Sequence, residues 1–187
     1  MTSSREEVPV GNWVSRSTPY LTPSTAGQAD AWTQEAAAHG ARGTNRLDHV
    51  GHVQAPAFVA DAFGIDEGQP VVARRRIVYL DDAPMEIATS YYPLWIAADT
   101  DLAEPRKIKG GAITALASLG YTTASVTEDV VADMPDEETR AALDMDAGEP
   151  IITLYRSNRD ADGTVFQAEI MTTAAATRRL RYEMEVG

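Results

Sequence analysis

The chain has no cysteine in its 187 residues. That excludes disulfides and thiolate metal sites, and it suits a reducing compartment. Cations are scarce: 16 Lys and Arg stand against 28 Asp and Glu, for a net charge of −12. Affinity for a phosphate backbone rests on clustered cations, so a chain this acidic is expected not to bind nucleic acid directly. No apolar run approaches the ~18 residues of a membrane span, and the opening MTSSREEVPVGNW lacks the apolar core of a secretion signal. His39, His49 and His52 are the only histidines. The last two, three apart on a segment that reads as strand, point to opposite faces, which is wrong for a shared metal. There is no Gly-x-Ser-x-Gly, and KGGAIT lacks the Gly-Lys-Ser/Thr end of a phosphate loop. The expectation is a cytoplasmic protein without membrane contact, metal, cofactor or recognisable catalytic nucleophile.

What is present is enough for one packed domain. Hydrophobic residues make up 44% of the chain. Residues 1–24, with three prolines and several Ser and Thr, read as an extended arm with a short strand near Trp13–Ser17. Residues 25–187 read as the folded domain. Helices are expected at about 28–39, 56–63, 111–118 and 136–143, each marked by helical spacing or by Gly and Pro at its ends. Strands are expected in RLDHVGHVQA, QPVVARRRIVYL, MEIATSYYP, TTASVTEDVVADM, EPIITLYRSNRD and VFQAEIMTTA. Hairpins interspersed with separate helices argue for an α+β fold with an antiparallel sheet.

Two of these units look like copies. GIDEGQPVVARRRIVYLDDAPM lies over DMDAGEPIITLYRSNRDADGTV, with Asp66, Gly68 and Pro70 matching Asp146, Gly148 and Pro150 at a constant offset of 80. Ordinary turn chemistry could give such matches by chance. Three identities in register favour a repeat of helix, turn and hairpin, and hence two pseudo-symmetric hairpin units with a site between them.

The stretch RRRIVYLDDAPMEIATSYYP poses the functional question. Strand side chains alternate, so Arg74 and Arg76 share one face and Arg75 takes the other. A short turn at Asp81–Pro84 sets Val78 opposite Glu86, Arg76 opposite Ala88 and Arg74 opposite Ser90. The even face then gathers two guanidinium groups with Glu86, Ser90 and Tyr92. The odd face carries Val71, Ala73, Ile77, Met85 and Ile87, with Arg75 as the exception. A solvated polar face would be the ordinary outcome. Here the converging groups, and helices available to cover them, favour a pocket in which guanidinium forks grip a carboxylate or phosphate. The second hairpin offers Arg156 and Glu169 to the same site.

These residues bring out a family. AWTQEAAAHGARGTNRL, the central FGIDEGQPVVARRRIVYLDDAPMEIATSYYP and the closing RYEMEV together resemble the UTRA domain, the effector-binding half of HutC-type regulators in the GntR superfamily. The resemblance runs from about Ala26 to Val186. It implies a chorismate lyase-like α+β fold, a pocket for a small, often anionic metabolite, and a homodimer. Arg74, Arg76 and Glu86 fall where members bind effector; Glu169 and, in the opening helix, Thr33 are further ligand-binding candidates. Family members carry a winged helix-turn-helix ahead of this domain, and no such pattern occurs here. The chain is therefore expected to be either a piece of a longer regulator or a stand-alone effector domain. The alternative is an enzyme on the same scaffold, of lyase or cyclase type, with arginines holding an anionic substrate and Glu86 or Glu169 as acid or base.

Overall fold

In the computed structural model, residues 13–24 and 29–184 are described. The arm's first twelve residues, the start of the first expected helix and the end of RYEMEV lie outside them. Six strands form one antiparallel sheet in the order β2-β3-β4-β7-β6-β5. They are β2 (Gly43–Gln54), β3 (Pro70–Leu80), β4 (Ala83–Pro93), β5 (Ser125–Asp133), β6 (Ile151–Arg159) and β7 (Val165–Ala174). The helices are α1 (Ala31–Ala38), α2 (Ala57–Phe63), α3 (Leu94–Ala97), α4 (Ala112–Ser118) and α5 (Glu137–Ala142). A separate parallel pair, β1 (Val14–Ser15) with β8 (Arg179–Leu180), ties the arm to the C-terminal segment. The expected closing strand at 181–186 is displaced: the pairing occurs at Arg179–Leu180, and 181–184 carry no regular structure.

The order of elements is β2-α2-β3-β4 followed by β5-α5-β6-β7, two copies of one unit meeting where β4 pairs β7. The copies agree in backbone detail. Gly64 and Asp144, 80 apart, both end their helices with left-handed φ values of 65° and 51°. Ile65 N–H donates to the Ala60 carbonyl and Met145 N–H to the Arg140 carbonyl, each at 3.0 Å, again 80 apart. This is the bond that closes a helix whose next residue turns left-handed. Gly68 and Gly148 follow with φ of 82° and 87°, conformations that a side chain would strain. The sequence repeat is thus a repeat of turn chemistry, set by where the chain must reverse.

The β3–β4 hairpin has the expected register: Val78 opposes Glu86, Arg76 opposes Ala88 and Arg74 opposes Ser90. Its two-residue turn is Asp81–Asp82, both with positive φ, the twist that matches paired strands. One expectation is corrected. A register shift between Val78 and Tyr79 moves Met85 off the odd face. It packs instead with Val78, Leu80 and Trp32. Arg75 does face away from its neighbours, pairing with Glu138 at 2.9 Å and Asp48 at 3.4 Å. Trp95, just after this hairpin, is 59% exposed and meets Phe63 edge-on.

The sheet has cores on both faces. α2 packs on Val71 and Ala168, and Leu143 and Met145, just after α5, pack on Ile87 and Ile151. On the other face α1 and the arm stack Trp32 and Trp13 against Val78, Leu154 and Met171. α1 approaches β2 closely at Gly43. A Cβ there would meet Ala36 Cβ at 2.7 Å, Trp32 Nε1 at 2.8 Å and the Trp32 carbonyl at 2.9 Å. Gly43→Ala is therefore expected to destabilise the fold by roughly 1–3 kcal/mol, as overpacking does. Gly51→Ala on the same strand, whose nearest new contact is His49 at 3.4 Å, serves as the control. Urea unfolding of both variants checks this.

Candidate functional site

The face under α1 and the arm is not filled. A cavity of about 770 Å³ lies there, walled by the sheet, the arm from Ser15 to Thr22, α1, and the segment from Lys107 to Thr114. Its apolar lining includes Leu47, Ile108, Ile113, Leu154 and Met171. Its floor lies on a polar row of five strands, which runs past the cavity to Glu128 on β5. Arg74 opposes Ser90, Ser90 opposes Glu169, Glu169 opposes Arg156, and Arg156 opposes Glu128. Alternation on each strand places all five on one face.

Glu169 is the centre of that row. Its Oε1 accepts from the Ser90 hydroxyl at 2.7 Å and lies 3.7 Å from Arg76. Its Oε2 accepts from Arg156 Nη1 at 3.4 Å. Arg76 also donates to Ser90 Oγ at 3.1 Å. Arg156 donates onward to Glu128 at 2.6 Å and to Ser17 of the arm at 3.0 Å. Burial works against the Arg156 charge, but Glu169 and Glu128 outweigh it and hold the guanidinium above its usual range. Glu128 lies below the usual carboxylate range; burial opposes this, and Ser17 and Arg156 overcome it. At the neighbouring end of the floor Glu86 pairs with Arg178, whose guanidinium also lies 5.6 Å over the Trp32 ring.

The structure brings Arg76, Glu86, Ser90 and Glu169 together at the cavity as the sequence suggested. Arg74 also reaches its wall, but its guanidinium is engaged elsewhere. Nη1 donates to the carbonyls of Asp101, Leu102 and Glu104, and Nη2 to that of Arg106, at 2.7–3.3 Å. Burial lowers its pKa from the free guanidinium value. Tyr92 is fully buried below the floor, its hydroxyl accepting from Gln167 at 3.4 Å. Burial, helped by the charge of Glu169, pushes its phenol up to about 12. Thr33 lines the cavity, but its hydroxyl donates to Asp30, the residue that caps α1. Among the described residues no group of side chains could hold a metal ion.

Sequence reasoning did not reach Arg178, Glu128 or Ser17. Arg178 lies in the turn after β7, where no alternation assigns a face. Ser17 belongs to the arm. The repeat offers a signal for Arg156: it stands 80 residues after Arg76, the offset that relates the two hairpins.

With this geometry in place, comparisons identify the class. The UTRA domain family matches residues 38–177, well over half of the chain. An uncharacterized HTH-type transcriptional regulator of Streptomyces coelicolor is 32% identical over 148 residues, covering 78% of this chain and 55% of that protein. The chain spans about half the length of the curated relatives it matches. Crystal structures share the fold at lower identity. PhnF from Mycobacterium smegmatis gives a TM-score of 0.72 at 20% identity, over 87% of this chain and 71% of that one. The C-terminal domain of the histidine utilization repressor from Pseudomonas syringae gives 0.65 at 20%, over 78% and 100%. The chain belongs to the UTRA family, the effector-binding domains of GntR-type transcriptional regulators. No helix among the described residues is long and apolar enough to cross a membrane.

Arg74 generates a prediction of its own. One guanidinium satisfies four carbonyls of a segment that otherwise lacks regular structure, and that segment leads into the cavity wall. Arg74→Met is expected to cost roughly 1.5–3 kcal/mol of stability, the range for hydrogen bonds to a charged group. Arg74→Lys is expected to rescue little, because an ammonium cannot reproduce the planar fork. Chemical denaturation of the two variants measures both.

Proposed function

We propose that this chain senses a small polar metabolite in the 770 Å³ cavity, as the ligand-binding part of a transcriptional regulator. The observation that carries the reading is the floor. Arg76, Ser90 and Glu169 present donors and acceptors into a partly apolar space large enough for a metabolite, and all three sit on rigid strands. Arg76 is the recognition residue in this reading, since its side chain is 32% exposed whereas those of Glu169 and Arg156 are 7% and 5%. Arg74, Tyr92 and Thr33 act indirectly: the first holds the 101–106 segment, the second underlies the floor, and the third steadies the start of α1.

The second function of the site is transmission. Ser17 of the arm bonds Arg156, and Arg156 bonds Glu169, so the floor and the arm are one connected network. A ligand seated on Glu169 and Arg76 thereby alters contacts that position the segment ahead of the domain. Glu86 and Glu169, the carboxylates that the lyase-type alternative would use, are each paired with an arginine.

A thermal-shift screen of sugars, sugar phosphates, amino acids and organic acids tests the proposal. A compound that binds is expected to raise the melting temperature saturably, by the equivalent of about 2.7 kcal/mol at a hundred times its dissociation constant. Arg76→Met is expected to remove that response and leave the fold intact. A response unchanged in Arg76→Met would place the ligand elsewhere.

A further inference from the structure

The cavity is far more basic than the chain that holds it. Eight of the side chains lining it are Lys or Arg and three are Asp or Glu, an excess of five positive charges in a protein of net charge −12. Its buried arginines differ in how many of their donors are committed. Arg74 donates to four backbone carbonyls. Arg156 donates to Glu128, Glu169 and Ser17 through Nε, Nη1 and Nη2. Arg76 serves Ser90 and Glu169. Arg178 donates only Nη1, to Glu86. Its Nε–H is buried without an acceptor, and none of the described residues takes Nη2. The side chain is 8% exposed, with Glu86 on one side and the Trp32 ring of α1 on the other. A buried donor without an acceptor is destabilising, and an acceptor that reaches it relieves that strain.

We infer that Arg178 anchors an oxyanion of the effector, a carboxylate or a phosphate, at the end of the cavity between Trp32 and Glu86. The inference rests on the sensing reading and adds a second contact point to the one at Arg76. Nε and Nη2 form the side edge of a guanidinium, a fork that meets two oxygens of one anion through parallel hydrogen bonds. Glu86 faces Nη1 and leaves that edge unmatched. The exposed Lys109 and Arg181 also line the cavity, with no ion pair among the described residues, so a field that favours anions extends outward from the buried arginines. The two contact points are separate. Glu86 and Ser90 are four residues apart on β4, roughly 13 Å along the strand, with Ala88 between them. Met171 and then Leu154 stand beside Ala88 on the neighbouring strands, and both line the cavity. An effector that fits both ends places its oxyanion on Arg178, an apolar middle over Met171 and Leu154, and a hydroxyl or amine at Arg76, Ser90 and Glu169.

The experiment titrates the wild-type chain with sodium phosphate and with sodium 6-hydroxyhexanoate, each against sodium chloride at matched ionic strength, and reads melting temperature. The neutral counterpart 1,6-hexanediol is run beside them. Wild type is expected to respond saturably to at least one of the two anions and not to the diol; a phosphate response points to a phosphate group, a hydroxyhexanoate response to a carboxylate. Arg178→Lys keeps a cation beside Glu86 but lacks the side edge, and is expected to weaken the responding anion at least about tenfold. If that variant does not fold, Arg178→Met combined with Glu86→Gln, which removes the buried pair together, carries the same expectation. An undiminished anion response in these variants would overturn the Arg178 assignment; if Arg76→Met still abolishes that response, the sensing reading stands. A wild type that responds only to uncharged compounds, here or in the screen of sugars and acids, would also overturn the assignment and leave sensing in place. Failure to respond to any of these probes and to every compound of the screen would remove the sensing reading and this one with it.

Discussion

The structure depends on one carboxylate. Glu169 stands on β7, against the seam where the two copies of the β-α-β-β unit meet, and draws on both halves. Ser90 and Arg76 come from the first unit and Arg156 from the second. Removing Glu169 would leave Arg76 and Arg156 facing one another across the floor, with Glu128 alone still paired to Arg156. Buried cations persist only when paired. Ser90, Glu169 and Arg156 stand directly opposite one another on the adjacent strands β4, β7 and β6, so all three point the same way. The pairing of β4 with β7, which joins the two units, and the making of the site are therefore the same event.

Around that centre the remaining parts follow from what a charged floor requires. It must be roofed without being filled, so α1 and the arm pack their tryptophans at one end and leave the middle open. The long segment between α3 and α4 has few regular hydrogen bonds, and Arg74 supplies them from the sheet below. Both ends of the domain are tied by the β1–β8 pair and by Arg16 with Glu183, which keeps the arm over the floor. A small change at Glu169 thus has a short physical route to Ser17 through Arg156, and one at Arg76 through Glu169 and Arg156.

Much of this was legible in the chain itself. Period-two alternation set the register of the β3–β4 hairpin, the faces of Arg74, Arg75 and Arg76, and the company of Glu86 and Ser90. The offset of 80 was legible because reversals need particular residues: Gly68 and Gly148 occupy the same left-handed turn. Alternation states a face, however, and not a partner. Arg74 and Arg76 are equivalent by parity, yet a segment almost thirty residues away folds back and takes the donors of Arg74. A one-residue irregularity after Val78 moved Met85 to the opposite core, and no local pattern announces such a shift. Arg178 and Ser17 lie in connecting segments, where side-chain direction is set by tertiary contacts alone.

The central claim is that Glu169 and the guanidinium beside it act as a coupled pair that joins the two halves of the sheet. A double-mutant cycle with Arg156→Met, Glu169→Gln and their combination, read by equilibrium unfolding, tests it most directly. The account predicts strong non-additivity, with a coupling of roughly 0.5–3 kcal/mol and the double variant less destabilised than the sum of the singles. Additivity of the two substitutions to within about 0.3–0.5 kcal/mol would contradict it.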